Sequence, residues 1–402
     1  MKRLSFRTAG ESHGRGLVAL LEGLPAGLSL EMVRDVDPDL KRRQGGYGRG
    51  RRMEIESDRA EVLSGIRLGE TIGSPVALVV WNKDSENWLE AMSPLPPDPD
   101  GNPKALRSLY LPRPGHADLV GLLKYDRRDT RDILERASAR ETAARVACGA
   151  VCKKLLADFG IGIGSHVTSI GPVETQVPHE LPEDLNSAVD ESPLRTLDDE
   201  AASSMIEAID QAKEEGDTLG GIFEVVVRGL PAGLGSYVSY DTKLDGRLAG
   251  AIMSIQAIKG VEIGVGFEGA RRPGSEVHDP ITTDESAPRA GGIGRSSNRA
   301  GGLEGGITTG ELLVVRAAMK PISTLRKRLP SVDMRDGSAK DAAVERSDVC
   351  AVPAAAVVGE AMVALVLADA FLEKFGGDAM SEVRRNFESY IAYLGERGYG
   401  AR

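Results

Sequence analysis

Three short segments carry side chains that can move protons. Residues 10–14, Gly-Glu-Ser-His-Gly, set Ser12 and His13 on a turn flanked by glycine. Glycine permits a tight backbone there. An imidazole in such a place can move protons near neutral pH as acid or base; its other use is to bond backbone and close the turn. The spacing also matches the strained serine elbow of α/β-hydrolases, which needs a sheet built before the serine. Only one strand's length precedes Ser12, so that chemistry is set aside. In residues 113–118, Arg-Pro-Gly-His-Ala-Asp, Pro114 and Gly115 stiffen the loop that presents His116, and Asp118 either orients the ring or caps the next helix. Residues 346–350, Arg-Ser-Asp-Val-Cys, offer Arg346 and Asp348 just ahead of an apolar helix.

Cations gather near these groups in the chain. Residues 41–52 hold six Lys or Arg, Arg43 and Arg49 among them, and four glycines. A solvated charge run and RNA binding are two readings. A third is a small anion, since guanidinium forks on a glycine-rich backbone suit phosphate and carboxylates. The net charge of −10 and 4% aromatic content favour the small anion over nucleic acid. On a predicted helix over 130–159, Arg136 and Arg140 stand four apart and share a face, with Ala137, Ser138 and Ala139 between them; pairing with Glu135 and Glu141 is the competing use. Gly301-Gly302-Leu303-Glu304-Gly305-Gly306 and Lys320-Pro321-Ile322-Ser323-Thr324 add backbone N–H groups, hydroxyls and a cation suited to a phosphate-bearing cofactor.

The elements that must position these groups form a mixed α/β pattern without a regular βαβ period. No Gly-x-Gly-x-x-Gly follows a strand, which argues against a Rossmann domain. Strands are predicted near 4–9, 17–21, 76–81, 223–227 and 312–316, and helices over 32–43, 130–159, 201–215 and 353–375. No linker divides the 402 residues, so one domain spanning 1–402 is expected, with mobile loops near 41–52, 92–112 and 270–294. The turn Gly-Leu-Pro-Ala-Gly at 23–27 recurs at 229–233, through internal duplication or through chance repetition of turn-prone residues. Cys148, Cys152 and Cys350 provide neither a disulfide framework nor a metal ligand set, and suit a reducing cytoplasm. The apolar tract 349–371 contains Glu360 and Asp369, which suit a buried helix better than a bilayer.

Taken in order from about residue 3 to 378, these segments resemble the chorismate synthase family. The collinear matches are Gly-Glu-Ser-His-Gly, Gly-Tyr-Gly-Arg-Gly, Arg-Pro-Gly-His-Ala-Asp, Arg-Ala-Ser-Ala-Arg-Glu-Thr, Gly-Gly-Leu-Glu-Gly-Gly, Lys-Pro-Ile-Ser-Thr and Arg-Ser-Asp-Val-Cys. The resemblance implies a β-α-β sandwich, a cytoplasmic homotetramer, and reduced FMN as cofactor. It implies the anti 1,4-elimination of phosphate from 5-enolpyruvylshikimate 3-phosphate, within aromatic amino acid biosynthesis by the shikimate pathway. It makes His13, His116 and Asp348 catalytic, with Ser12 and Ser138 as hydrogen-bonding serines. It sets Arg43, Arg49, Arg140 and Arg346 against the anionic groups of substrate or NADP. Flavin contacts fall on Arg136, Ala137, Ser138, Gln256, Ala257, Gly305, Lys320, Pro321, Ile322, Ser323, Thr324 and Arg346. No extra domain is present for flavin reduction, so an external reductase or other source of reduced flavin is expected. A flavin oxidoreductase on another anionic substrate, or an RNA-binding protein using the Gly-Arg loop, are the alternatives; neither a metal nor a membrane is expected.

Overall fold

Two antiparallel sheets and the helices between them carry the fold. The structure, a computed structural model, describes residues 3–50, 57–178, 180–345 and 348–397. In the first sheet the strands run Ser5–Ala9, Gly16–Glu22, Val76–Trp81, Glu61–Ser64 in spatial order. In the second the order is Ile258–Ile263, Leu313–Met319, Gly221–Arg228, Gly162–Ile170, Val173–Glu174. Helix Thr142–Ala157 packs under the first sheet and helix Val352–Phe375 under the second, and the two helices lie against each other. The layers are therefore sheet, helices, sheet, as the expected β-α-β sandwich requires. One continuous hydrophobic cluster runs through all of them.

Small side chains make the central helix pair possible. A Cβ placed on Gly149 would stand 2.3 Å from the Cβ of Ala361, so only glycine admits this approach. Helix Val352–Phe375 has Pro353 in its first turn and stops at Gly376, whose φ of +58° suits glycine. It is long and apolar enough to cross a membrane, but 94% of its most apolar window is buried within the protein. Two of its three acids, Glu360 and Asp369, are paired inside. Glu360 accepts from Arg42 at 2.7 and 2.9 Å, from Lys153 at 2.7 Å and from the Ser165 hydroxyl at 2.6 Å. Asp369 accepts from the Leu4 N–H and from Arg247.

The repeated Gly-Leu-Pro-Ala-Gly turn marks a repeated structure. The Thr71 hydroxyl donates to the Pro25 carbonyl at 2.6 Å and accepts from the Leu28 N–H at 3.0 Å. The Thr308 hydroxyl does the same with Pro231 at 2.7 Å and Leu234 at 2.8 Å. Each threonine closes a two-stranded hairpin, Ile66–Arg67 with Glu70–Thr71 and Leu303–Glu304 with Ile307–Thr308. Val76–Trp81 and Leu313–Met319 each begin five residues after their threonine and occupy corresponding sheet positions. The geometry supports duplication over chance.

Two predicted helices are broken. The 32–43 segment forms Met32–Asp35 and Asp37–Gln44, because Val36 leaves helical geometry and Pro38 starts a new first turn. The 130–159 segment forms Arg131–Ala137, the 3₁₀ turn Ala139–Glu141 and Thr142–Ala157. Ser138 is extended (φ −62°, ψ 141°), and its hydroxyl accepts from the Arg140 N–H at 3.2 Å, capping the turn that follows. Arg136 and Arg140 consequently do not share a helical face. Of the predicted loops, 270–294 carries the short helix Gly274–Val277 and a strand pair, Ile281–Thr283 with Ile293–Arg295. Residues 41–44 close a helix, 92–112 contains the 3₁₀ turn Pro103–Leu106, and 51–52 lie outside the described residues.

Candidate active site

The first two strands of the first sheet deliver the Ser12–His13 turn, and the short helix Arg131–Ala137 holds it. The Ser12 N–H donates to the Glu135 carbonyl at 2.9 Å, and the His13 N–H to the Glu135 carboxylate at 2.9 Å. His13 Nδ1 lies 2.9 Å from both oxygens of that carboxylate. Arg131 donates to Glu135 from the other side at 2.9 Å. Burial pushes the Glu135 carboxyl up, but the bond and charge of His13, joined by Arg131, leave it below its ordinary value. The imidazole stacks on Trp88 with ring centroids 3.8 Å apart, and Arg107 sits 4.0 Å from the same indole.

Asn82, at the end of strand Val76–Trp81, joins this turn to the cations. Its amide donates to the Glu11 and Gly14 carbonyls and its oxygen accepts from Arg140 Nε at 2.9 Å. Arg140 and Arg43 then converge on one buried carboxylate, Asp58, each at 2.7 Å. Burial pulls the Arg43 guanidinium down to about 10; Asp58 pushes back, while Arg140 and Arg49 add to the pull. Arg49 Nε stands 3.3 Å from Asp348, which also accepts the Gly50 N–H at 2.7 Å. The Gly46–Gly50 loop lies close against residues 349–350: Val349 donates to the Gly48 carbonyl, and a Cβ on Gly48 would meet Ile209 and Cys350 at 3.0 and 3.2 Å. Among the described residues, Arg43 and Arg140 thus meet on Asp58 and Arg49 on Asp348, and Asn82 ties Arg140 to the His13 turn.

A second group forms around His116. Its Nδ1 is 2.5 Å from Asp118, and Arg113 holds Asp118 through Nε at 2.8 Å while approaching the imidazole at 3.1 Å. Burial raises the Asp118 carboxyl, yet the hydrogen bonds from His116 and Arg113 carry it well below the usual carboxylate range. Arg113 also donates to Thr324 at 2.8 Å, and Lys320 Nζ reaches the Gly115 carbonyl, so the 113–118 loop and the 320–324 segment are fastened together. The Lys320 N–H donates to the carbonyl of Ala257, a non-glycine residue held at φ +67°. The Ile322 carbonyl is anchored by Thr218.

Arg136 points away from Arg140, donating to the Thr8 and Gly10 carbonyls. With Gln256 it lines a cleft of about 360 Å³ that also receives Arg7, Glu141, Arg145 and Ser254. Gln256 donates to Glu141 at 3.2 Å, while its buried oxygen has no hydrogen-bond partner among the described residues. Arg131, on the His13 side, reaches Glu135, the Arg107 carbonyl and Glu345, and none of these bonds extends to the His116 group. Gly305 turns the Leu303–Glu304 hairpin beside Tyr237, and among the described residues no hydrogen bond or ion pair joins it to either group. Arg346 lies outside the described residues.

Several participants escaped the sequence reading. The pair Arg131–Glu135 has helical i,i+4 spacing that can be read from sequence, but nothing local marks Asp58, Asn82 or Trp88, whose partners are distant in the chain.

The family model for chorismate synthase matches residues 4–372. The chain belongs to the chorismate synthase family. The chorismate synthase of Geobacter sulfurreducens is 57% identical over 397 residues, covering 97% of this chain and 99% of that protein. That of Symbiobacterium thermophilum is 56% identical over 398 residues, with coverage of 98% and 100%. A crystal structure of chorismate synthase superimposes with a TM-score of 0.78 at 46% identity, over 98% of each chain. As a chorismate synthase family member the chain is an enzyme, a carbon–oxygen lyase.

Proposed function

We propose that this chain converts 5-enolpyruvylshikimate 3-phosphate to chorismate and phosphate with reduced FMN as cofactor, as a cytoplasmic homotetramer supplied with reduced flavin from outside. The observation that carries this reading is the convergence of Arg43 and Arg140 on Asp58, with Arg49 beside them. Burial first, then Arg140 and Arg49, pull the Arg43 guanidinium down against the push of Asp58, and such a cluster of cations favours further negative charge. A substrate with two carboxylates and a phosphate supplies it.

Arg43, Arg49 and Arg140 bind and orient these anionic groups. The ring C–H bond breaks, and its proton passes to Asp348. The electron pair forms a new double bond, the existing one shifts, and the C–O bond breaks with its electrons leaving on phosphate. His116, oriented by Asp118, donates to the departing phosphate from its remaining nitrogen. His13 holds an exchangeable proton in the same site, and Ser12 and Ser138 hydrogen-bond beside these groups. Arg136–Ser138, Gln256, Ala257 and Lys320–Thr324 are the residues that would hold flavin, joined by Gly305 and Arg346. The unpartnered Gln256 oxygen and the cationic cleft it lines suit a polar, phosphate-tailed ligand. Reduced flavin, when bound, supplies the electron-rich group that makes an unactivated C–H labile.

The test is an anaerobic assay with dithionite-reduced FMN that follows phosphate and chorismate together. Equal release of both with no net flavin oxidation is expected. Flavin oxidation in step with product would turn the reading to an oxidoreductase. Sustained turnover with oxidised FMN and NADPH alone would remove the need for an external reductase.

A further inference from the structure

The Ser12–His13 turn is held by more than a reactive loop requires. Glu135, buried with a side-chain exposure of 2%, takes the His13 N–H and faces the ring Nδ1 with both carboxylate oxygens, each contact 2.9 Å. Trp88 lies on the ring at 3.8 Å with planes 25° apart. Both supports are themselves fixed. Arg131 donates to Glu135, the Trp88 indole N–H donates to Asp84 at 2.9 Å, and Arg107 and Arg131 stand over the indole. Glu345 is the other acid bound to Arg131.

We propose that Glu135 and Trp88 are positioning residues for His13. Glu135 keeps a proton on Nδ1, which makes Nε2 the nitrogen that exchanges protons, and Trp88 sets the plane of the ring. No step of the reaction passes through either residue. The proposal rests on the reading of His13 as the proton-handling group, so its test needs a signal independent of turnover. Trp88 provides one, because a protonated imidazole in contact with an indole quenches its emission. The chain has two tryptophans, and Trp81 is half exposed on the outer face of the first sheet. A full-length Trp81→Phe protein therefore reports on Trp88 alone.

In that background, acidification should quench the emission, and His13→Ala should abolish the acid-dependent part. Glu135→Gln should reduce its amplitude at least about 2-fold and lower kcat at least ~10-fold with KM changed less than ~3-fold, within the range for acid–base groups. Glu135→Asp should recover part of both. Full quench amplitude together with wild-type kcat in Glu135→Gln would overturn the proposal, as would an acid quench that survives His13→Ala. If the parent protein releases no phosphate with reduced FMN, the functional reading fails while the fluorescence result still decides the geometry.

Discussion

Replacing Asp58 by asparagine isolates the charge balance of the cation cluster. The carboxylate is fully buried and takes 2.7 Å contacts from Arg43 and Arg140, whose side chains are 5% and 3% exposed. Asparagine keeps the shape and some hydrogen bonding but removes the charge. Deleting one partner of a buried pair costs about 3 to 5 kcal/mol, since the surviving charges lose compensation without regaining water. At roughly 2.1 cal/mol/K per residue, the entropy of melting for a chain this long is about 0.84 kcal/mol/K, so Tm should fall by about 4 to 6 °C. The same change removes one negative charge from beside Arg43 and Arg140. Inorganic phosphate at a fixed excess should then lift the Tm of the variant more than that of the wild type, bounded by the ~2.7 kcal/mol available at a hundredfold excess over Kd. Scanning calorimetry with and without phosphate reads both numbers. An unchanged Tm, or a larger phosphate effect in the wild type, would refute the charge argument.

His13→Ala and His116→Ala should each lower kcat at least ~10-fold in the anaerobic phosphate-release assay, and wild-type rates would remove their catalytic assignment. Thr71→Val and Thr308→Val should destabilise by similar amounts, about 1 to 3 kcal/mol each in denaturant unfolding, because each strands a buried carbonyl and N–H; a large cost at one and none at the other would contradict the matched turns. Acid should unfold the protein through Asp58, Asp118, Glu135 and Glu360, all held below their ordinary values of 3.8 or 4.5. A depressed carboxyl contributes its full stability above its unfolded pKa and loses it as pH falls through the folded one, so the urea midpoint should hold above roughly pH 5 and fall below about pH 4. A midpoint flat down to pH 3 would count against these pairs.

What could be read from sequence was what depends on neighbours in the chain. Val76–Trp81 was legible as a strand because its apolar run has strand length, and helix Val352–Phe375 because proline and glycine punctuate its ends. The two histidine turns stood out through their glycines and proline. The break at Ser138 was missed because the surrounding apolar pattern continues across it, while the decisive feature is a serine hydroxyl capping the next turn. The partners of the cations were missed for another reason. Asp58 serves Arg43 and Arg140, and Asn82 serves Arg140 and the 10–14 turn, across separations that sheet pairing creates and periodicity does not encode. The repeated turn carried a true signal, but it took Thr71 and Thr308, outside the repeated five residues, to give it weight.

Arg42 and Arg43 are successive residues with opposite duties. The first is bolted into the central helix through Glu360, with Asp39 and Asp190 on its flanks, while the second faces the cation cluster. Any tug that an incoming anion exerts on the one is resisted at the next peptide by the anchorage of the other. The backbone that carries Arg43 is therefore fixed from the adjacent residue, by an ion-pair cluster that belongs to the core.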